Sequence, residues 1–267
     1  MRITVITIVA GRHRQLRRQL DGLAAGAVRA DHHVVVAMGD PALRRVVGGR
    51  AEVVDLETHG RLPLAEARNT GAAHAVAAGA DLLVFLDVDC VPGSRLIARY
   101  RDTAKDRTLL CGPVTYLPPG NGSLERLADL TDPHPARPAP PDGETREHGD
   151  HTLFWSLSFA VTARTWQQLG GFCEAYTGYG GEDTDFGQLA RAAGVGLTWV
   201  GGAHAYHQHH PVQDPPVNHL DDILVNARLF HRRWGWWPMR GWLDAFAAQG
   251  LTPPVTALSP AQPPPFG

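Results

Sequence analysis

Cysteine is scarce in this chain. Cys90, Cys111 and Cys173 are its three copies, far apart and without the paired spacing of a zinc site or a disulfide framework. A small disulfide-stapled scaffold is thereby excluded, and a reducing compartment is favoured. Basic excess is missing too: a formal net charge of −2 offers nothing for the phosphates of a nucleic acid. No apolar run reaches the roughly 20 residues of a membrane-spanning helix. Met1 to Val9 is too short for a signal peptide, and Arg12, His13 and Arg14 follow too soon. A cytoplasmic protein is expected. Peripheral contact with the inner face of a membrane is left open by Trp234, Trp236, Trp237 and Trp242 beside Arg232, Arg233 and Arg240, for which core packing is the other reading. No internal repeat is visible.

What is present reads as an α/β sheet protein. A hydrophobic share of 43% over 267 residues suffices for a sizeable core. Ile3 to Val9 is a β-branched run, and after Gly11 the leucines at 16, 20 and 23 fall at helical spacing up to Gly26. His33 to Met38 is a second strand, Leu43, Val46 and Val47 mark a short helix, and Ala51 to Val54 is a third strand. Pro63 opens an alanine-rich helix through Ala78, dense enough in alanine to pack closely on the sheet, with Arg68 and Asn69 in its middle. Leu82 to Leu86 is apolar throughout, as in a strand buried on both faces. Thr108 to Tyr116 and Phe154 to Thr162 are further strands. This alternation predicts βαβ units. Between them, residues 117–151 are rich in proline and charge, which predicts a long irregular loop with at most a short helix around Leu124 to Leu130. A loop of that length serves as a functional lid or is disordered. Asn218 to Arg233 is an amphipathic helix, and the proline-rich stretch after Thr252 is expected to be a loose tail.

Three stretches carry chemistry. Asp87 and Asp89 follow the buried strand directly. Two residues apart in extended backbone, they would point to one side at the carboxyl end of the sheet, where open α/β proteins bind ligands. Hard oxygens suit Mg²⁺ or Mn²⁺ carrying a phosphate, although Asp after a strand also serves as a turn residue or helix cap. Glycines and aromatic rings fill positions 170–181, followed by Glu182, Asp183 and Asp185 at the start of a helix. Acids there complement the helix dipole, which would lower their pKa, but the dipole does not account for the glycine and aromatic run. Finally His204, His207, His209 and His210 crowd seven residues. They could form a zinc cluster, yet no Cys ligand or His-Glu-x-x-His pattern accompanies them, and a mixed Asp and His shell better suits Mn²⁺.

Taken together, Asp87-Val88-Asp89, the Gly170 to Asp185 run and the Ala205 to Gln208 segment resemble the GT-A glycosyltransferases, specifically family-two type inverting enzymes with features of the galactosyltransferase carboxy-terminal module. The resemblance covers roughly residues 1–235. It implies a mixed, mostly parallel Rossmann-like sheet, with residues 1–116 as the nucleotide-binding half, 117–151 as a variable loop that selects the acceptor, 152–235 as the catalytic half, and 236–267 as an extension and tail. It implies a nucleotide-sugar donor held by Thr7, Ile8, Val9 and Gly11, by Asp40 as the candidate base-contacting acid, by Arg68 and Asn69 near the diphosphate, and by Asp87, Val88 and Asp89. Asp89 and His207 would bind Mn²⁺ or Mg²⁺. Asp183 would be the general base, with Glu182 beside it, and Trp155 and Tyr179 would lie near the acceptor. Ser158 stands where the family often has asparagine. The implied reaction is inverting transfer of a hexose from a UDP-sugar to a hydroxyl of a glycan, lipid or small molecule. The alternatives are a retaining enzyme, a GDP- or dTDP-sugar donor, a non-catalytic nucleotide-sugar binder, and a zinc hydrolase built on the histidines.

Overall fold

The computed structural model describes residues 1–120, 123–211 and 213–259. In its first half, β1 (Ile3–Val9), α1 (His13–Ala25), β2 (His32–Met38), α2 (Leu43–Val47), β3 (Glu52–Leu56), α3 (Leu64–Ala77) and β4 (Leu82–Leu86) follow the predicted alternation. Next come β5 (Cys90–Pro92), α4 (Leu96–Thr103), β6 (Thr108–Cys111) and β7 (Val114–Tyr116). The remaining elements are β8 (Thr145–Arg146), β9 (Ser158–Thr162), α5 (Ala163–Leu169), α6 (Glu182–Ala192), β10 (Gly196–Val200), β11 (Ala205–His207), α7 (Leu220–Trp234) and α8 (Arg240–Ala248).

The main sheet runs β3-β2-β1-β4-β9-β6-β10-β8. Its first four strands are parallel, while β9 lies antiparallel between β4 and β6. It is the mixed, mostly parallel sheet with flanking helices that the sequence predicts. The alanine-rich α3 packs as closely as its composition suggests: a Cβ on Gly71 would come within 2.5 Å of the Ile6 side chain on β1. Below the other face lies a core of Val5, Leu82, Val84, Leu96 and Tyr100. Among the described residues no helix is long and apolar enough to cross a membrane.

A second sheet, β5-β11-β7, stands apart from the first and shapes the site. It arises because the expected single strand from Thr108 to Tyr116 breaks at Gly112-Pro113. A Cβ at Gly112 would lie 1.8 Å from the Ala203 carbonyl oxygen, so only glycine allows the crossing, and the proline adds no ladder donor. The predicted strand from Phe154 likewise starts only at Ser158, with Phe154 turned into the aromatic core against Phe159 and Phe186.

Residues 123–151 are irregular, as expected, but pinned. A 3-10 turn spans Leu124–Leu130 with Leu127 buried, and β8 pairs with β10. The guanidinium of Arg137 lies between the rings of Trp155 and Trp199, 4.9 Å from each. The tail also departs from expectation. Val255 and Leu258 are buried with Ile223, Ala227, Leu243 and Phe246 under α7 and α8, and Trp237, Met239 and Trp242 pack against them. Apolar side chains, not the prolines, decide the conformation of 252–259; residues 260–267 of the expected tail lie outside the described residues. Of the tryptophan cluster, Trp237 and Trp242 pack in that core and the Trp234 indole lies on Asp185, while Trp236 is exposed.

Candidate active site

The apolar β4 ends at Leu86, and the next residues turn instead of continuing extended. The Asp87 N–H donates to the Leu157 carbonyl, and the Cys90 N–H donates back to the Asp87 carbonyl at 2.8 Å. The turn keeps Asp87 and Asp89 part-exposed on either side of the buried Val88, and close enough for their charges to act on each other. Asp87 accepts from Arg68 at 3.2 Å. Asp89 pairs through Oδ2 with Arg12, while its Oδ1 is buried without a hydrogen-bond partner.

β11 delivers the histidines. His207 registers opposite Cys90 of β5, one residue past Asp89, and His210 follows, its Nε2 3.7 Å from Asp89 Oδ2. One ligand-capable atom each of Asp89, His207 and His210 falls within 4.8 Å of the others. Burial drives the His207 pKa down to about 4, against the pull of Asp89, so the imidazole is neutral at physiological pH and has a lone pair to give. His204 leaves the cluster to bond Thr115 Oγ1 at 2.7 Å, and His209 is exposed, so the four histidines do not converge as a zinc set.

Arg68 ties the turn after β4 to the start of α6. Gly181, at φ +94°, makes the turn into the helix. Glu182 is only 7% exposed and accepts from Arg68 at 3.2 Å, and its second oxygen is buried without a partner. Arg68, itself 3% exposed, thus joins the two acidic stretches by bridging Asp87 and Glu182. Loss of water, then the neighbouring Asp183, pushes the Glu182 carboxyl up to about 7 despite Arg68. Asp183 accepts from the Thr184 N–H at 2.7 Å and is also shifted upward, chiefly by burial. The helix dipole was expected to lower these values; dehydration outweighs it here. Asp185 has another task. Fully buried, it accepts from Tyr176, Arg233 and Trp234 at 3.1, 2.7 and 2.6 Å and ties α6 to α7.

The other predicted residues divide. Gly11 is exposed at the mouth of β1, and its N–H donates to Asp40. Burial works against the Asp40 charge, but hydrogen bonds from His13, Ala42 and Gly11 hold its pKa below the usual carboxylate range. Thr7, Ile8 and Val9 are turned into the core, as is Val88, so their side chains do not reach the open face. Asn69 is fully used in holding the glycine-aromatic run: its amide donates to the Phe172 carbonyl and Glu174, and its oxygen accepts from the Phe172 N–H. Trp155 meets His134 edge-on at 5.1 Å. Tyr179 stacks on His219 at 4.5 Å, and burial, then the charges of Asp183, Glu182 and Asp87, push its hydroxyl up to about 12. His210, one of the four histidines that the sequence singles out, lies within reach of Asp89 together with His207. Two neighbours escaped the sequence: Arg12 on Asp89, and Tyr116, 49% exposed and stacked on His207 at 4.5 Å. The pairing of β11 with β7 brings Tyr116 in, and the start of α1 brings Arg12, contacts that no local pattern announces.

A family model described as the N-terminal domain of galactosyltransferase matches residues 146–211, which span the α6 acids and the β11 histidine. Validoxylamine A glucosyltransferase from Streptomyces hygroscopicus subsp. jinggangensis (strain 5008) is 37% identical over 54 residues, or 20% of this chain and 13% of that enzyme. Among solved structures, S. aureus TarS 1-349 in complex with UDP-GlcNAc aligns with a TM-score of 0.61 at 12% identity, covering 93% of this chain and 73% of that one. GalNAc-T7 with UDP, GalNAc and Mn²⁺ aligns with a TM-score of 0.53 at 13% identity, covering 95% of this chain and 58% of that one.

Proposed function

We propose that this chain, which has the GT-A fold, is a divalent-cation-dependent glycosyltransferase that moves a hexose from a UDP-sugar to an acceptor hydroxyl with inversion. One observation supports the reading above all: Arg68 bridges Asp87 and Glu182, and so ties the turn that carries Asp89 to the helix start that carries Asp183. Neighbours of the same fold crystallised with UDP-GlcNAc, or with UDP and Mn²⁺, support the donor class.

Asp183 takes the proton of the acceptor hydroxyl as that oxygen attacks the anomeric carbon. The bond from that carbon to the phosphate oxygen breaks, and UDP leaves with the electron pair. A single displacement inverts the centre. Glu182 and Asp87 are both held by Arg68. Arg68 also brings positive charge to the diphosphate side. The residues fit a cation: the unpartnered buried Oδ1 of Asp89 is a hard oxygen donor, and two imidazoles favour Mn²⁺ over Mg²⁺. When bound, the ion neutralises charge on the departing diphosphate. Gly11 and Asp40 flank the nucleotide at the end of β1, with backbone from Thr7 to Val9 rather than side chains. Trp155, Tyr179 and Tyr116 wall the acceptor side.

A thermal-shift series with UDP, UDP-sugars and Mn²⁺ tests the reading, since a ligand held at a hundred times its Kd adds about 2.7 kcal/mol. UDP-sugars should raise Tm only with Mn²⁺ present. A shift with GDP- or dTDP-sugars alone, or one indifferent to Mn²⁺, overturns it.

A further inference from the structure

The Thr7 side chain, buried and turned away from the open face, belongs to a polar chain that no part of the transfer chemistry uses. Its hydroxyl lies 2.9 Å from Gln19 Oε1 and 3.0 Å from His33 Nε2, and all three residues are buried. Gln19, 0% exposed, directs its Nε2 to the carbonyl oxygens of Asp87 at 2.7 Å and Cys90 at 3.0 Å, with the Leu86 oxygen at 3.4 Å. Those carbonyls are the two ends of the turn that carries Asp89.

Every group in this chain has one possible direction. Carbonyl oxygens only accept, so the Gln19 NH₂ must face them and its Oε1 must face Thr7. A hydroxyl has one hydrogen, which therefore goes to Gln19, and Thr7 can then only accept from His33. That fixes the Nε2–H tautomer of a histidine whose pKa burial drives down to about 3, so the polarity holds over the working pH range.

We infer that Gln19 is a positioning residue, held in one orientation by Thr7 and His33, which clamps both ends of the Asp87–Cys90 turn and so sets where Asp89 presents its buried oxygen. This deepens the transferase reading by naming what holds the cation side rigid, and it rests on that reading only for the meaning of Asp89. A flipped or missing amide removes the donor that the Asp87 and Cys90 carbonyls share, and leaves the turn to its backbone bonds from Cys90 and Gln208.

Amide hydrogen exchange on the full chain tests this without requiring activity. The Cys90 N–H reports the turn through its bond to Asp87, and the Gln208 N–H reports the Asp89 carbonyl at 2.7 Å. Thr7→Val keeps the shape and removes the hydroxyl; Thr7→Ser keeps the hydroxyl. Exchange at Cys90 and Gln208 should rise about tenfold in Thr7→Val and Gln19→Met relative to the β6 amides, which report global opening, and stay near wild type in Thr7→Ser. The inference is overturned if these amides accelerate only in step with β6, if they do not accelerate, or if Thr7→Ser behaves as Thr7→Val does. Mn²⁺ affinity by electron paramagnetic resonance should fall about tenfold in Gln19→Met. If the wild-type protein binds no Mn²⁺, the cation reading of Asp89 fails, while the exchange result still decides the clamp.

Discussion

The two acidic stretches that meet at the cleft differ in how their charges are answered. On the turn after β4 each carboxylate has a cation, Arg68 on Asp87 and Arg12 on Asp89. At the start of α6 the answers are uneven. Glu182 shares Arg68, Asp185 has Arg233 and two neutral donors, and Asp183 accepts its hydrogen bonds from Thr184. Answered charges hold position or ligands. The carboxylate with neutral donors, its pKa shifted upward chiefly by burial, is suited to take up a proton.

The sharpest way to break this contrast is to neutralise Asp183. Asp183→Asn should lower transfer by about 10³-fold, within the range for a general base, and leave UDP binding by calorimetry nearly unchanged; equal losses in both would assign Asp183 to donor binding. Asp89→Ala or His207→Ala should do the converse, weakening Mn²⁺-dependent UDP binding by about 10- to 100-fold. Unchanged binding in both variants would move the cation elsewhere.

Asp185 lies two residues from Asp183 yet should answer in stability. Asp185→Ala strands three donors and should cost about 3 kcal/mol in chemical denaturation, with UDP affinity per folded molecule preserved. Loss of affinity without loss of stability would contradict the anchoring role. The smallest effect concerns Glu182. Its folded-state pKa, about 7, lies above its ordinary 4.5, so its contribution to stability is complete below about 4.5 and is lost as pH rises through about 7. Glu182→Gln should therefore gain in Tm on the wild type between pH 5 and pH 8; a gain on acidification instead would reverse the assignment.

Much of this contrast was legible in the sequence. Strand β4 announced itself by an unbroken apolar run, and the acids past it, the acids of α6 and His207 do gather at one end of the sheet. What stayed hidden depended on contacts distant in the chain. Arg12 becomes a neighbour of Asp89 only through folding across 77 positions of sequence. The inward aim of Thr7 was illegible for another reason: β1 is buried on both faces, so alternation gives no sign of which side is which. The dipole argument for α6 had the right residues and the wrong sign, because the depth of burial at a helix start is a tertiary property.

The most direct measurement is the anomeric configuration of the first-formed product, followed by proton NMR with a UDP-α-hexose donor. A single displacement with Asp183 as the only base predicts the β-linked product. An α-linked product would require a second displacement or a front-face mechanism, and would contradict the division of labour between the two acidic stretches.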